Sequence, residues 1–336
     1  MKTEKFDAST QSLQTAGELL RNQELVAFPT ETVYGLGADA TSESAVSKIY
    51  QAKGRPSDNP LIVHVHDAEQ IMHYVREIPP LAQQLIEHFM PGPFTIILKS
   101  NGTVAKSVTA GLDTVAIRIP GNPIARKLIK EATLPLAAPS ANLSGKPSPT
   151  TAEHVYQDLA GRIAGIIDGG PTGVGLESTV VDGTGEIPVI LRPGGVTKQA
   201  IEQVVGKVEM SRSLEDNKPK APGMKYNHYE PDAPLILVDG DREFFQQYIH
   251  QYQQKGQKVG VIASNPFINQ LQGDIHYDVG SHEVLEEVAA NLYYALRFFN
   301  DTDVDIILAE AYPLDGIGEA IMNRLTKAAT DYYQQK

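Results

Sequence analysis

The chain has 336 residues, a length that favours two domains over one. Its 41% apolar and 21% charged residues make an ordinary globular balance that excludes a disordered or fibrous chain, and having no cysteine excludes disulfides, thiolate catalysis and Cys-based metal sites. Of the formal charge of −12, −9 falls on residues 231–336 and −3 on residues 1–230, so a general nucleic-acid coat is disfavoured and anion-binding chemistry belongs in the first two-thirds.

Apolar periodicity predicts a helix from Ser9 to Gln23, then a short strand over Leu25–Phe28. Ser42 is placed to cap a helix that carries Ala45, Val46, Ile49 and Tyr50 on one face and ends before Gly54. Strands are expected at Leu61–Val65, Phe94–Lys99 and Thr114–Ile119. Between the first two lie helical patterns with Ile71, Met72 and Val75, then with Leu81, Leu85 and Phe89. Asn122-Pro123 has the cap-then-proline form of a helix start, with Ile124, Leu128 and Ile129 as the buried face. Strands at Gly165–Asp168, Ser178–Asp182 and Pro188–Leu191 and a helix from Thr197 to near Gly206 complete a mixed α/β domain, residues 1–207.

Residues 208–232 are polar, proline-containing and without period, as expected of a linker or lid. The pattern then restarts with strand Leu235–Val238, helix Asp241–Gln254, strands Lys258–Ala263 and Asp274–Val279, helix His282–Phe299, strand Val304–Leu308 and helix Gly318–Thr330. That alternation predicts a smaller three-layer, Rossmann-like domain with a parallel sheet over residues 233–336. It has no glycine fingerprint after its first strand. No apolar run approaches the roughly 18 residues of a membrane span, and Met1 to Gln14 lacks a signal-peptide core. The expectation is a cytoplasmic protein with no membrane partner.

Several segments carry chemistry-bearing side chains. Phe28–Ala40 contains Gly35 and Gly37, either a tight turn with capping hydroxyls or a weak phosphate loop. In Lys53–His64 two cations, Lys53 and Arg55, precede a turn whose prolines, Pro56 and Pro60, fix the backbone around Asn59. A helix dipole accounts for one such cation; the turn suits a ligand, whereas His64 alone is more simply structural. Arg118 lies in the apolar strand VAIRIP, where a buried guanidinium must face a carboxylate of the protein or an anionic substrate. Ala138–Thr151 is rich in small hydroxyl and amide residues, Ser140 and Asn142 among them.

These segments, taken in order, resemble one family. PTETVYGLG, KGRPSDNPLIVH, PGPFTIIL, VAIRIP, APSANLSG, ESTVVD, ILRPG and PGMKYNHYEP run across residues 29–231, and MNRLTKAA follows at 322–329. The chain resembles the long form of the YrdC/YwlC family, the threonylcarbamoyl-AMP synthases. Two departures, Met90 where an aromatic residue is commoner and Ala221 where serine is common, touch no position of chemistry.

The resemblance implies a YrdC-like twisted mixed sheet with flanking helices, and a nucleotidyltransferase. Its reaction condenses L-threonine, bicarbonate or CO2, and ATP into threonylcarbamoyl-AMP, releasing pyrophosphate. The product modifies the adenosine beside the anticodon of tRNAs that read codons beginning with A. A separate transferase completes that step, so tRNA is only an indirect partner. The resemblance places Thr32, His64, Arg118, Ser140 and Ser178 around threonine. It places Lys53, Arg55, Asn59, Thr114, Asn142, Thr150, Arg192 and, from the linker, Tyr226 and Tyr229 around ATP. Lys53, Arg55 and Arg118 are the foremost residues for the chemistry, and Mg2+ is expected to ride on the ATP phosphates rather than on side chains. The alternative is a double-stranded RNA-binding translation module, which short relatives of the first domain bring into view.

Overall fold

The computed structural model describes residues 1–211 and 228–336. Two compact units emerge: residues 1–144 with 148–211, and residues 145–147 with 228–336.

Short local signals fix the helices of the first unit where the sequence places them. Ser9 Oγ accepts the Ser12 amide and starts helix Thr10–Arg21, and Ser42 Oγ accepts the Ala45 amide and starts helix Glu43–Lys53. That second helix ends on Gly54 at φ 63°, a left-handed cap that glycine adopts without strain. Asn122 Oδ1 accepts the amides of Ile124 and Ala125 and starts helix Pro123–Ala132. The pattern at Ile71 and Met72 becomes a 3-10 turn, Ala68–His73.

Eleven strands are numbered in chain order: β1 (Glu4–Phe6), β2 (Val26–Phe28), β3 (Gly35–Asp39), β4 (Ile62–His64), β5 (Phe94–Lys99), β6 (Thr114–Arg118), β7 (Leu136–Ala137), β8 (Gly165–Ile167), β9 (Thr179–Asp182), β10 (Val189–Arg192) and β11 (Glu209–Met210). They form one mixed sheet in the order β1-β8-β2-β3-β7-β4-β6-β5-β9-β10-β11. Parallel β4 and β6 place His64 beside Arg118 at their carboxyl ends.

Gly35 and Gly37 are not a phosphate loop. They lie in β3, antiparallel to β2, and a Cβ on Gly37 would come within 2.9 Å of the Phe28 ring. Their small size serves strand packing. Helix Ala152–Leu159, capped by Thr151, and strands β1 and β3 go beyond the elements expected from pattern alone.

The second unit is the expected parallel sheet. Its strands β12 (Leu235–Asp239), β13 (Val259–Asn265), β14 (Ile275–Ser281), β15 (Ile306–Glu310) and β16 (Asp331–Gln334) take the order β14-β13-β15-β12-β16, every pair parallel. Ile236 and Val238 of β12 pack with Phe245 and Ile249 of helix Arg242–Gln254. The intervening Leu235 and Leu237 are buried on the opposite face, as strand alternation requires. No helix among the described residues is long and apolar enough to cross a membrane.

Candidate active site

Arg118 ends β6, where the residue is 3% exposed and its guanidinium must be neutralised. Three of its five N–H groups are accounted for. Nη2 donates to Glu31 Oε1 at 2.6 Å, Nη1 to Thr32 Oγ1 at 2.9 Å and Nε to the Gly92 carbonyl at 3.2 Å. The sequence left this arginine between a protein carboxylate and an anionic substrate; the structure supplies the carboxylate. Thr32 Oγ1 also lies 2.8 Å from Thr30 Oγ1, so the turn after β2 is closed on itself.

Burial opposes the charge on Glu31, but the Arg118 guanidinium and the amide of Gly121 outweigh it and hold its carboxyl below the usual carboxylate range. His64 beside it is buried, and Nδ1 donates to the Ile62 carbonyl at 3.1 Å. Desolvation, reinforced by the positive Arg118, pulls its pKa down to about 3, so the ring is neutral at physiological pH.

A second group gathers at the end of helix Glu43–Lys53. The buried Lys53 ammonium donates to the carbonyls of Ser140 and Asn142, the latter at 2.7 Å. One cation therefore holds the small-residue loop, which helix-dipole compensation alone does not require. The loop is tied to the first group through a bridge between Ser140 and Gly35 and through the Ala141 amide, which donates to Tyr34 O at 2.9 Å. Thr150 belongs to the same neighbourhood: the Tyr34 amide donates to Pro149 O at 2.9 Å, and Thr150 O accepts the Thr172 amide at 3.0 Å.

Ser178 and Arg192 form the third group. Arg192 Nη2 donates to Ser178 O at 2.9 Å and to its Oγ at 3.2 Å, and Ser178 Oγ lies 2.8 Å from Thr95 Oγ1. The Thr179 amide donates to Pro93 O at 3.0 Å, next to the Gly92 carbonyl that Arg118 holds. Thus Lys53 with Ser140 and Asn142, Arg118 with Thr32 beside His64, and Arg192 with Ser178 form three hydrogen-bonded groups within the first unit.

Thr114 begins β6, four residues before Arg118, and pairs with Lys99 of β5. Arg55 and Asn59 lie on the turn after Lys53, where Asn59 is buried and its carbonyl accepts the Tyr50 hydroxyl at 3.3 Å. Tyr226 lies outside the described residues. Tyr229 belongs to the second unit, at φ 68°, with its ring 5.2 Å from that of Tyr293. Glu31 was missed by sequence reasoning. Its signal was the unmet charge of Arg118, but nothing local pairs residues 87 apart. Ser148 and Glu177, whose side chains meet at 2.5 Å, were missed for the same reason. Among the described residues no group of three or more His, Cys, Asp or Glu side chains is placed to hold a metal ion.

Comparison with known proteins completes the assignment. A family model described as "Telomere recombination" matches residues 18–194, and one described as "Threonylcarbamoyl-AMP synthase, C-terminal domain" matches residues 196–330. The threonylcarbamoyl-AMP synthase of Bacillus subtilis is 53% identical over 97% of this chain and 95% of its own length. That of Pyrococcus abyssi is 47% identical over 94% of each. The crystal structure of P. abyssi Sua5 complexed with L-threonine matches at a TM-score of 0.94 and 44% identity, covering 100% of both chains. This chain belongs to the threonylcarbamoyl-AMP synthases, enzymes of the nucleotidyltransferase kind, in their long two-domain form.

Proposed function

We propose that the protein condenses L-threonine, bicarbonate or CO2, and ATP into threonylcarbamoyl-AMP and pyrophosphate, supplying a separate transferase that modifies tRNA. The observation that carries this reading is a set of buried polar groups within the first unit: the Arg118 guanidinium on Glu31 and Thr32, the Lys53 ammonium on the carbonyls of Ser140 and Asn142, and Arg192 on Ser178.

Arg118 receives the threonine carboxylate with its planar fork, and Thr32, His64, Ser140 and Ser178 surround the rest of the amino acid. A neutral His64 adds no second positive charge, in keeping with an amine that must itself be neutral before it takes up CO2. Lys53, Arg55, Asn59, Thr114, Asn142, Thr150 and Arg192 hold the nucleotide. The reaction joins the carbamate oxygen to the α-phosphorus and expels pyrophosphate, so no covalent enzyme intermediate is needed. Positioning and neutralisation of phosphate charge do the work. Mg2+ carried on the ATP phosphates would supply part of that neutralisation.

The test is to incubate the protein with ATP, labelled threonine and bicarbonate. Pyrophosphate release that needs all three, with label appearing in an adenylate, is the expected result. Release that continues without threonine overturns the reading. No observation favours the RNA-binding alternative.

A further inference from the structure

Glu31 is the one ionised partner that Arg118 has among the described residues. Its carboxylate is itself held by backbone. Oε2 accepts the Asn122 amide at 3.2 Å, and Glu31 O accepts the Val174 amide at 2.8 Å. Asn122 is in turn the cap of helix Pro123–Ala132, so the carboxylate is held at a capped helix start. A Cβ on Gly121 would sit 3.4 Å from the Glu31 carboxylate, so the turn at 121 fits closely around it.

We infer that Glu31 is a positioning residue for threonine: its backbone-anchored carboxylate fixes the plane of the Arg118 guanidinium so that the two remaining N–H donors meet the amino-acid carboxylate. This rests on the assignment of Arg118 to threonine above. The physical argument is preorganisation. An arginine side chain loses substantial rotamer freedom when it is ordered, and here the folded protein has already ordered it. Glu31, Thr32 and Gly92 hold three donors from two different segments, which leaves the guanidinium little room to rotate. Glu31 alone of the three contributes charge. It also keeps the buried cation from being uncompensated while the site is empty, and threonine then joins a pair that needs no rearrangement.

The experiment measures threonine and ATP dependence of pyrophosphate release for wild type, Glu31→Gln and Glu31→Asp, together with threonine binding by calorimetry without ATP and a thermal unfolding scan. A charge-assisted hydrogen bond to a buried group is worth roughly 10- to 100-fold in binding. Glu31→Gln should therefore raise the threonine KM and Kd by at least about tenfold while the ATP KM stays within about twofold. Glu31→Asp, which keeps the charge, should recover part of the loss. A parallel loss for threonine and ATP, or unchanged threonine affinity in a variant that folds, overturns the inference. Should Glu31→Gln fail to fold, Glu31→Asp decides alone by the same split. Wild type that releases pyrophosphate without threonine refutes the function itself, a result distinct from any outcome of the variants.

Discussion

Each unit buries a polar cluster at the carboxyl ends of neighbouring parallel strands, and the two clusters are built to opposite purposes. In the first, β4 and β6 present His64 and Arg118, and the guanidinium is shared among a carboxylate, a hydroxyl and a carbonyl. In the second, β13 and β15 present Ser264 and Glu310. Glu310 accepts the Ser264 amide and hydroxyl, each at 2.7 Å, and lies 3.1 Å from His282 Nδ1. The first cluster displays cationic donors, which suit carboxylate and phosphate. The second is organised around a carboxylate within a region of net charge −9. Similar strand geometry therefore centres one cluster on a cation and the other on a carboxylate; the sign of the buried charge makes the difference.

The largest expected effect tests the cationic side of this contrast. Arg118→Ala should lower kcat/KM for threonine by about 100-fold or more while ATP binding changes little, since a buried charge-assisted contact is lost on the amino-acid side only. Equal losses for both substrates would place Arg118 elsewhere in the chemistry. Lys53→Met comes next. It strips the donor from the Ser140 and Asn142 carbonyls, so the loop should loosen at a cost of about 1–3 kcal/mol and the ATP KM should rise more than that for threonine. An ATP KM unmoved by this change would deny Lys53 any part in holding the nucleotide loop.

Glu310→Gln probes the other side. It keeps the shape but removes the charge that accepts from Ser264 and His282, so unfolding should be eased by about 1–2 kcal/mol, seen as a lower melting transition in calorimetry. Threonine and ATP kinetics should remain at wild-type values. A collapse of activity without loss of stability would bring the second unit into the chemistry and break the contrast.

The sequence made the cationic cluster more legible than its supports. Strand and helix starts at Ser9, Ser42 and Asn122 were readable because a cap is a local event. Lys53, Arg118 and Ser140 stood out because charge or small hydroxyls sit oddly in apolar or strand-end positions. Glu31 did not, because an ion pair between residues 87 apart exists only once β2 and β6 are folded into one sheet. The glycines of β3 stayed ambiguous for a related reason. Whether a Gly-x-Gly cradles phosphate or makes room for Phe28 depends on what crosses it, which composition does not record. Strand β16 was hidden too, since Asp331–Gln334 is short and polar and becomes a strand through its pairing with β12.

The smallest effect is a pH dependence that separates burial from charge pairing. His64 has a folded-state pKa of about 3 against an ordinary 6.5, so the unfolded chain binds the proton more readily. Its contribution is complete above pH 6.5 and drains away as pH falls toward 3, at up to about 1.4 kcal/mol per pH unit. Glu31 has the same sign in a lower window, because its pKa is held below 4.5 and its contribution fades only as pH falls beneath that value. Between pH 7.5 and 5.5 the two are therefore separable. Denaturant unfolding of wild type should weaken over that interval, and His64→Gln, whatever its fixed packing cost, should weaken less. Identical slopes would mean that His64 takes up its proton in the folded protein as easily as in the unfolded chain. The site would then hold two neighbouring cations near neutral pH, which the pairing of Arg118 with a single carboxylate does not offset.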